Sequence, residues 1–314
     1  MTLTFLGNFS VEYSSESHHA ASLEALGYKV VRFQETQAGG EDILKQALKS
    51  DLFIWVHTHG WETPGFPMTE VLNQLKESKI PTLTYHLDLW FGLERQKDLQ
   101  TDPFYSRIEW FFATDKLMTD WLNNETDVKG RYLPAGVFHE EAIMLDKSSQ
   151  NHDVIFVGSK GYHPEWPYRP QLIGWLEKTY SDKFEHWGGD GKGVMRGLHL
   201  NQLYADTKVV VGDSLNIGFD YPYYWSDRVY ETMGRGGFLI MPFIKGLDKE
   251  FTDGVHLRFY EYGNFKQLKY LIDHYLSNGK EREKIRRAGF EKVRDNYTYT
   301  HRWRTILDEV SQDK

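Results

Sequence analysis

The chain has 314 residues, 40% hydrophobic and 26% charged, with 37 Lys and Arg against 45 Asp and Glu for a net charge of −8. That composition excludes intrinsic disorder and a coiled coil, and at about 150 residues per domain the length suggests two. No cysteine is present, which excludes a disulfide scaffold, a Cys-ligated zinc or iron–sulfur centre and a Cys nucleophile, and fits a reducing compartment.

Short apolar or β-branched runs alternate with helical patterns along the first half. Residues 2–6 read as a strand ending at Gly7, and 16–26 as a helix stopped by Gly27. Strand 28–33, helix 43–48, strand 51–57, helix 68–76 and strand 81–86 follow. Next come strand 108–114, helix 116–122 and a short strand and loop over 131–137. The polar, turn-rich stretch from Asp146 to Asp153 marks a linker, giving expected domains 1–148 and 149–314. Beyond it lie strand 153–158, helix 169–178, strand 184–187, helix 201–205, strand 208–212, helix 227–234 and strands 238–241 and 255–260. Helices over 265–276, 281–294 and 301–310 close the chain.

Strands spaced by helices predict parallel sheets covered on both faces, an α/β chain of two doubly wound, Rossmann-like domains facing a cleft. Ligands of such sheets bind beyond the carboxyl ends of the strands. No run is long enough to span a membrane and the N-terminus lacks a signal-peptide pattern, so a cytoplasmic protein is expected. The acidic balance gives no broad attraction to nucleic acid or anionic lipid.

Three segments after strands carry residues suited to phosphates and sugars. Gly158-Ser159-Lys160-Gly161, with Arg169 near the next helix start, fits a phosphate cradle clamped by a guanidinium, though spacing alone favours a tight strand-to-helix turn with Arg169 in solvent. The glycine-rich loop 188–193, with Lys192 and Arg196, reads as an anion-contacting loop or a solvated one. Ser226 reads as an N-cap for a helix bearing Arg228, Tyr230 and Glu231, which Gly236 and Gly237 end. Glu231 suits two ribose hydroxyls, or an ion pair with Arg228 three residues earlier. The aromatic run 219–225 reads as a nucleobase or sugar wall, or as a packed loop. In the first half, Gly7 and Asn8 follow strand one and His18-His19 begin a helix. His57 and His59 end one strand, and His86 and Asp88 another. An imidazole and a carboxylate there suit orienting or deprotonating an acceptor hydroxyl. Zinc at His57 and His59 needs further ligands that the sequence does not identify.

The segment Ser226-x-Arg228-x-Tyr230-Glu231 with Gly236-Gly237 resembles the donor signature of nucleotide-sugar glycosyltransferases with the two-domain GT-B fold, nearest to the spore-protein or CgeB-like branch related to family 4. Residues 251–260, 270–276, 281–289 and 296–304 resemble the segments that follow it in that family, and Leu133-Pro134-Ala135-Gly136 the segment that ends its acceptor domain. The match covers about half the chain. It implies an N-terminal acceptor domain, a C-terminal donor domain and a last helix packing back toward the N-terminal domain.

By this resemblance Glu231 holds the donor ribose, Ser226 and Arg228 support that helix or meet the diphosphate, and Tyr230 belongs to the donor signature. Gly158, Ser159 and Arg169 lie at the diphosphate, with Lys192 or Arg196 as a second cation and Gly7 and Asn8 approaching the substrates. Asp88, His86 or His59 would assist the acceptor. Family 4 carries a second acid eight positions before the ribose glutamate, where this chain has Tyr223. The implied donor is a nucleoside-diphosphate sugar, UDP first, used as a co-substrate and transferred with retention without a bound metal or cofactor. The acceptor classes are a glycan, a small molecule, a protein or a hydroxylated DNA base, the last disfavoured by the net charge. A non-catalytic binding or coat protein and a sugar-nucleotide epimerase are the competing readings.

Overall fold

The computed structural model describes residues 1–161 and 163–312. They form two compact units, one of residues 1–134 joined by the chain from Tyr299, the other Ala135–Thr298.

The first unit runs β1 (Thr2–Gly7), α1 (Ser15–Ala25), β2 (Lys29–Gln34), α2 (Gly40–Ala47), β3 (Leu52–Trp55), α3 (Met68–Glu77) and β4 (Thr82–His86). Two four-residue helices, α4 (Asp98–Thr101) and α5 (Phe104–Arg107), precede β5 (Trp110–Ala113), α6 (Lys116–Glu125) and β6 (Lys129–Tyr132). The sheet order is β2-β1-β3-β4-β5-β6, with every pair parallel. The buried strands β1, β3, β4 and β5 are near-continuous apolar or β-branched runs because helices cover both faces. Trp55, Trp90, Phe104, Tyr105 and Phe111 pack in the core between that sheet and its helices.

The chain returns to this unit at its end. Trp303, fully buried, lies edge-on to Phe5 and Tyr85 and donates its Nε1–H to His19 Nδ1 at 3.2 Å. Burial pulls the His19 pKa down to about 3, so this imidazole is neutral and serves the core.

The second unit runs β7 (His152–Val157), α7 (Tyr168–Tyr180), β8 (Phe184–Trp187), α8 (Gly197–Asp206), β9 (Thr207–Val211), α9 (Arg228–Gly234), β10 (Leu239–Pro242) and β11 (Arg258–Tyr260). Helices α10 (Phe265–Ser277) and α11 (Gly279–Asn296) complete it, and α12 (Tyr299–Gln312) belongs to the first unit. Its sheet is β11-β10-β9-β7-β8, again all parallel. Residues 135–148 pack in this unit: Asn201 Nδ2 donates to the carbonyls of Glu141 and Ile143 at 2.8 and 2.7 Å.

Several expected bounds shift, two of them for a visible reason. The strand expected over 255–260 keeps only three residues, because Val255 and His256 donate to Thr252 O in a turn before it. The strand expected over 131–137 begins and ends earlier, since Asn123 clamps both the N–H and C=O of Gly130 at 2.9 Å. Among the described residues no helix is long and apolar enough to cross a membrane.

Candidate functional site

In the first unit the carboxyl ends of β1 to β4 gather titratable side chains. Glu35, just past β2, is fully buried and accepts from Trp55 Nε1 and Thr58 N, each at 2.9 Å, and from His57 Nδ1. The other imidazole nitrogen of His57 lies 3.1 Å from Asp102 Oδ2. Burial lowers the His57 pKa, but hydrogen bonds to Asp102 and Glu35 outweigh it and raise it to about 9. His59 is half exposed, with Nδ1 2.9 Å from Asp98. His57 and His59 thus each hold their own carboxylates, and among the described residues no group of three or more His, Asp or Glu is placed to hold a metal.

His86 is buried, and desolvation lowers its pKa. Asp88, half exposed, sits 3.9 Å from His86 and 3.6 Å from Arg95. Gly7 is needed for packing: a Cβ there would meet Glu16 Cγ at 2.9 Å. Asn8 shapes the turn, accepting from Ser10 Oγ at 2.6 Å through its side chain and from Ser14 Oγ at 2.7 Å through its carbonyl. Glu16 opens α1, buried against Gly7, and desolvation raises its pKa to about 7. Glu16, Glu35 and Asp102 are absent from the sequence expectations. For Glu35, directly after a strand, and Glu16, on the first turn of a helix, position was the available signal; Asp102, between two four-residue helices, offered none.

In the second unit β7 delivers Gly158, with φ +139°. A Cβ there would lie 2.9 Å from Cζ and Nη2 of Arg228, so only glycine lets that guanidinium rest against the chain. Gly158 O accepts from His186 Nε2 at 2.7 Å, and a Cβ on Gly188 would meet the same oxygen at 2.6 Å. Lys160 N donates to Asp190 at 2.8 Å, tying the loop after β7 to the loop after β8.

Arg169 is buried and braces this region. Its Nε donates to both oxygens of Asp213, at 2.9 and 3.1 Å, and its Nη1 to Ser159 O at 3.2 Å. Asp213 follows β9, so the pair spans the point where strand order reverses between β7 and β9. Lys192 pairs with Glu185 at 2.9 Å, and Arg196 is exposed at the start of α8.

Helix α9 carries Arg228 and Glu231 on successive turns. Glu231 is 30% exposed, and its ion partner is Arg235, four residues on, at 3.7 Å, while Arg228 turns to Gly158. Arg235 is buried and bonds Glu141, Asn201 Oδ1 at 2.8 Å and Gly197 O at 3.2 Å. Desolvation raises the Glu141 pKa against the pull of Arg235. Glu141 and Arg235 also lie outside the sequence expectations, though Arg235 stands at helical spacing from Glu231.

Two residues of the signature correct the reading. Tyr230 is fully buried and its hydroxyl accepts from Trp225 Nε1 at 2.9 Å, so it packs beneath the helix and is closed to a ligand. Ser226 does not cap the helix: the cap position is Asp227, and the Ser226 hydroxyl is buried without a hydrogen-bond partner. Tyr223, at φ +54°, packs on Gly246, where a Cβ would clash at 2.4 Å. The aromatic run divides: Tyr221, Tyr224 and Trp225 are buried, while Phe219 is 53% exposed beside a cavity of about 640 Å³ lined by Phe243, Tyr262, Asp248 and Glu261.

Residues 143–308, more than half of the chain, match the family described as glycosyl transferase-like. The chain belongs to the glycosyl transferase-like family. This glycosyl transferase-like chain also resembles solved structures. HepE of Anabaena, in complex with UDP and glucose, is 12% identical with a TM-score of 0.69, over 99% of this chain and 100% of that one. An alpha-glucosyltransferase in complex with UDP-glucose and DNA containing an abasic site is 11% identical with a TM-score of 0.71, over 99% of each. Sucrose-phosphate synthase from Thermosynechococcus elongatus is 10% identical with a TM-score of 0.63, over the whole of both. No curated protein sequence matches the chain. These likenesses give the glycosyl transferase-like chain the GT-B fold, and the matched residues include Gly158, Arg169, Asp213, Arg228 and Glu231.

Proposed function

We propose that this glycosyltransferase moves a sugar from a UDP-sugar to an acceptor hydroxyl with retention, in the cytoplasm, as a member of the CgeB-like branch. The observation that carries the reading is the juxtaposition of Arg228 with Gly158, with Glu231 on the next turn of the same helix. A glycine turn with a guanidinium against it suits a diphosphate; a carboxylate one turn on suits the ribose hydroxyls. The solved structures of similar fold that hold UDP or UDP-glucose support UDP as the nucleotide.

As the sugar leaves, negative charge grows on the diphosphate and positive charge on the sugar ring. Arg228 stabilises the departing oxygens. Arg169, already held by Asp213, fixes the Ser159 carbonyl and so the loop itself. With retention, the departing phosphate takes the acceptor proton and no protein nucleophile is needed. Asp88, with His86 behind it and His59 nearby, orients the acceptor. The net charge of −8 argues for an acceptor other than duplex DNA.

Calorimetry with UDP-, GDP-, ADP- and TDP-glucose tests the donor. UDP-glucose should bind tightest, and Glu231→Ala should weaken it at least tenfold, about 1.4 kcal/mol, without lowering the melting temperature. Unchanged affinity in that variant removes Glu231 from the ribose. The anomeric configuration of the product, read by NMR, decides retention.

A further inference from the structure

Away from the strand ends that carry Gly158, the second unit holds a cavity of about 520 Å³ at the amino ends of its strands, between α11, the start of β9 and residues 144–147. Six lysines and arginines line it against three carboxylates, a net charge of +3 in a chain whose total is −8. Helix α11 supplies most of that charge: Arg282, Arg286 and Arg294 recur at multiples of four residues and so share one helix face.

Like charges four residues apart destabilise a helix, and here they are also partly sheltered from water. The Arg286 side chain is 14% exposed, and Arg282 is half-buried. Burial, and then the neighbouring Arg286, hold the Arg282 guanidinium below its usual basicity. One carboxylate, Glu283, serves both Arg286 and Arg287, at 2.7 and 2.8 Å.

The cations are also held in place. Arg286 Nη1 donates to Gly236 O at 2.7 Å, Arg282 Nη1 to Tyr275 O, and Lys208 pairs with Asp153 at 2.5 Å. Arg294 is matched by Asp295 and Lys208 by Asp153, so the charge in excess on α11 is that of Arg282, Arg286 and Arg287, of which the last two share Glu283, and these groups are fixed along the cavity wall. We propose that this cavity is a second ligand site, separate from the donor site, that binds a compact, multiply charged phosphate-type anion. Guanidinium groups offer paired N–H donors to phosphate oxygens, and the volume is that of a small-ligand pocket.

The probe is inorganic tripolyphosphate, titrated by calorimetry into the full chain. Wild-type protein should bind it, more weakly as sodium chloride is raised. The titration should show two binding events; the double variant Lys208→Gln/Arg282→Gln should weaken one of them at least tenfold, while Arg228→Ala leaves that event in place and weakens the other. Should the double variant melt early, Arg294→Glu, an exposed change on the same face, takes its place with the same expectation. Loss of binding in Arg228→Ala with retention in the cavity variants would assign the anion to the donor loop and overturn the proposal. So would a wild-type Kd weaker than about 1 mM. The readout is independent of any nucleotide sugar, so a failed donor assignment leaves this test intact.

Discussion

The Arg228 guanidinium lies flat against the Cα of Gly158, so near that a single methyl group on that carbon would sit 2.9 Å from Cζ. This contact joins helix α9 to the end of β7. The glycine is required twice, by its φ of +139° and by the approach of the arginine.

Gly158→Ala should therefore strain the backbone and expel Arg228 together. We expect a loss of about 1–3 kcal/mol in urea unfolding, with nucleotide-sugar affinity falling as well. An alanine variant with wild-type stability and affinity would show that the contact is incidental.

Arg169→Met should unfold at markedly lower denaturant. It leaves the Asp213 carboxylate, 1% exposed, without its counter-charge, a change that typically costs about 3–5 kcal/mol. Replacing both partners with apolar residues should recover much of that loss, which a double-mutant cycle measures.

Glu16 makes the first unit pH-sensitive in the acid range. Its folded pKa of about 7 lies above the ordinary 4.5, so the folded chain binds the proton more tightly. The associated stability is complete below pH 4.5 and is lost as pH rises through 7. Glu16→Gln should remove that slope and leave the variant relatively more stable above pH 7, by up to about 3 kcal/mol. Equilibrium unfolding from pH 4 to 8 checks it.

His57 acts in the next window. Its pKa, raised to about 9 from 6.5, makes its contribution full below pH 6.5 and lost as pH rises through 9. An NMR titration should find this imidazole still protonated at pH 8. An imidazole that titrates near 6.5 would mean that Glu35 and Asp102 do not hold it as the geometry indicates.

Strands such as β3 and β5 were legible because helices on both sides demand unbroken apolar runs, and turns such as Gly27 declare themselves. Helices α4 and α5 were not, since four residues are too few to show a period. The positions of Gly158, Arg228 and Glu231 could be read from local pattern. Their partners could not. Asp213 lies 44 residues from Arg169, and Glu141 lies 94 from Arg235, and those separations close only through the fold. Tyr230 was misread because a seven-residue helix is too short for its pattern to show which side faces inward.

The placement of Trp303 has a consequence for biosynthesis. When a ribosome has added Thr298, the whole of Ala135–Thr298 is in hand, yet the earlier-made β1 and α1 still lack the indole that seals Phe5 and His19. The unit that holds β1 is thus completed only after residues 135–298 are made, and a chain stalled before Trp303 would display an open apolar seam to chaperones and proteases.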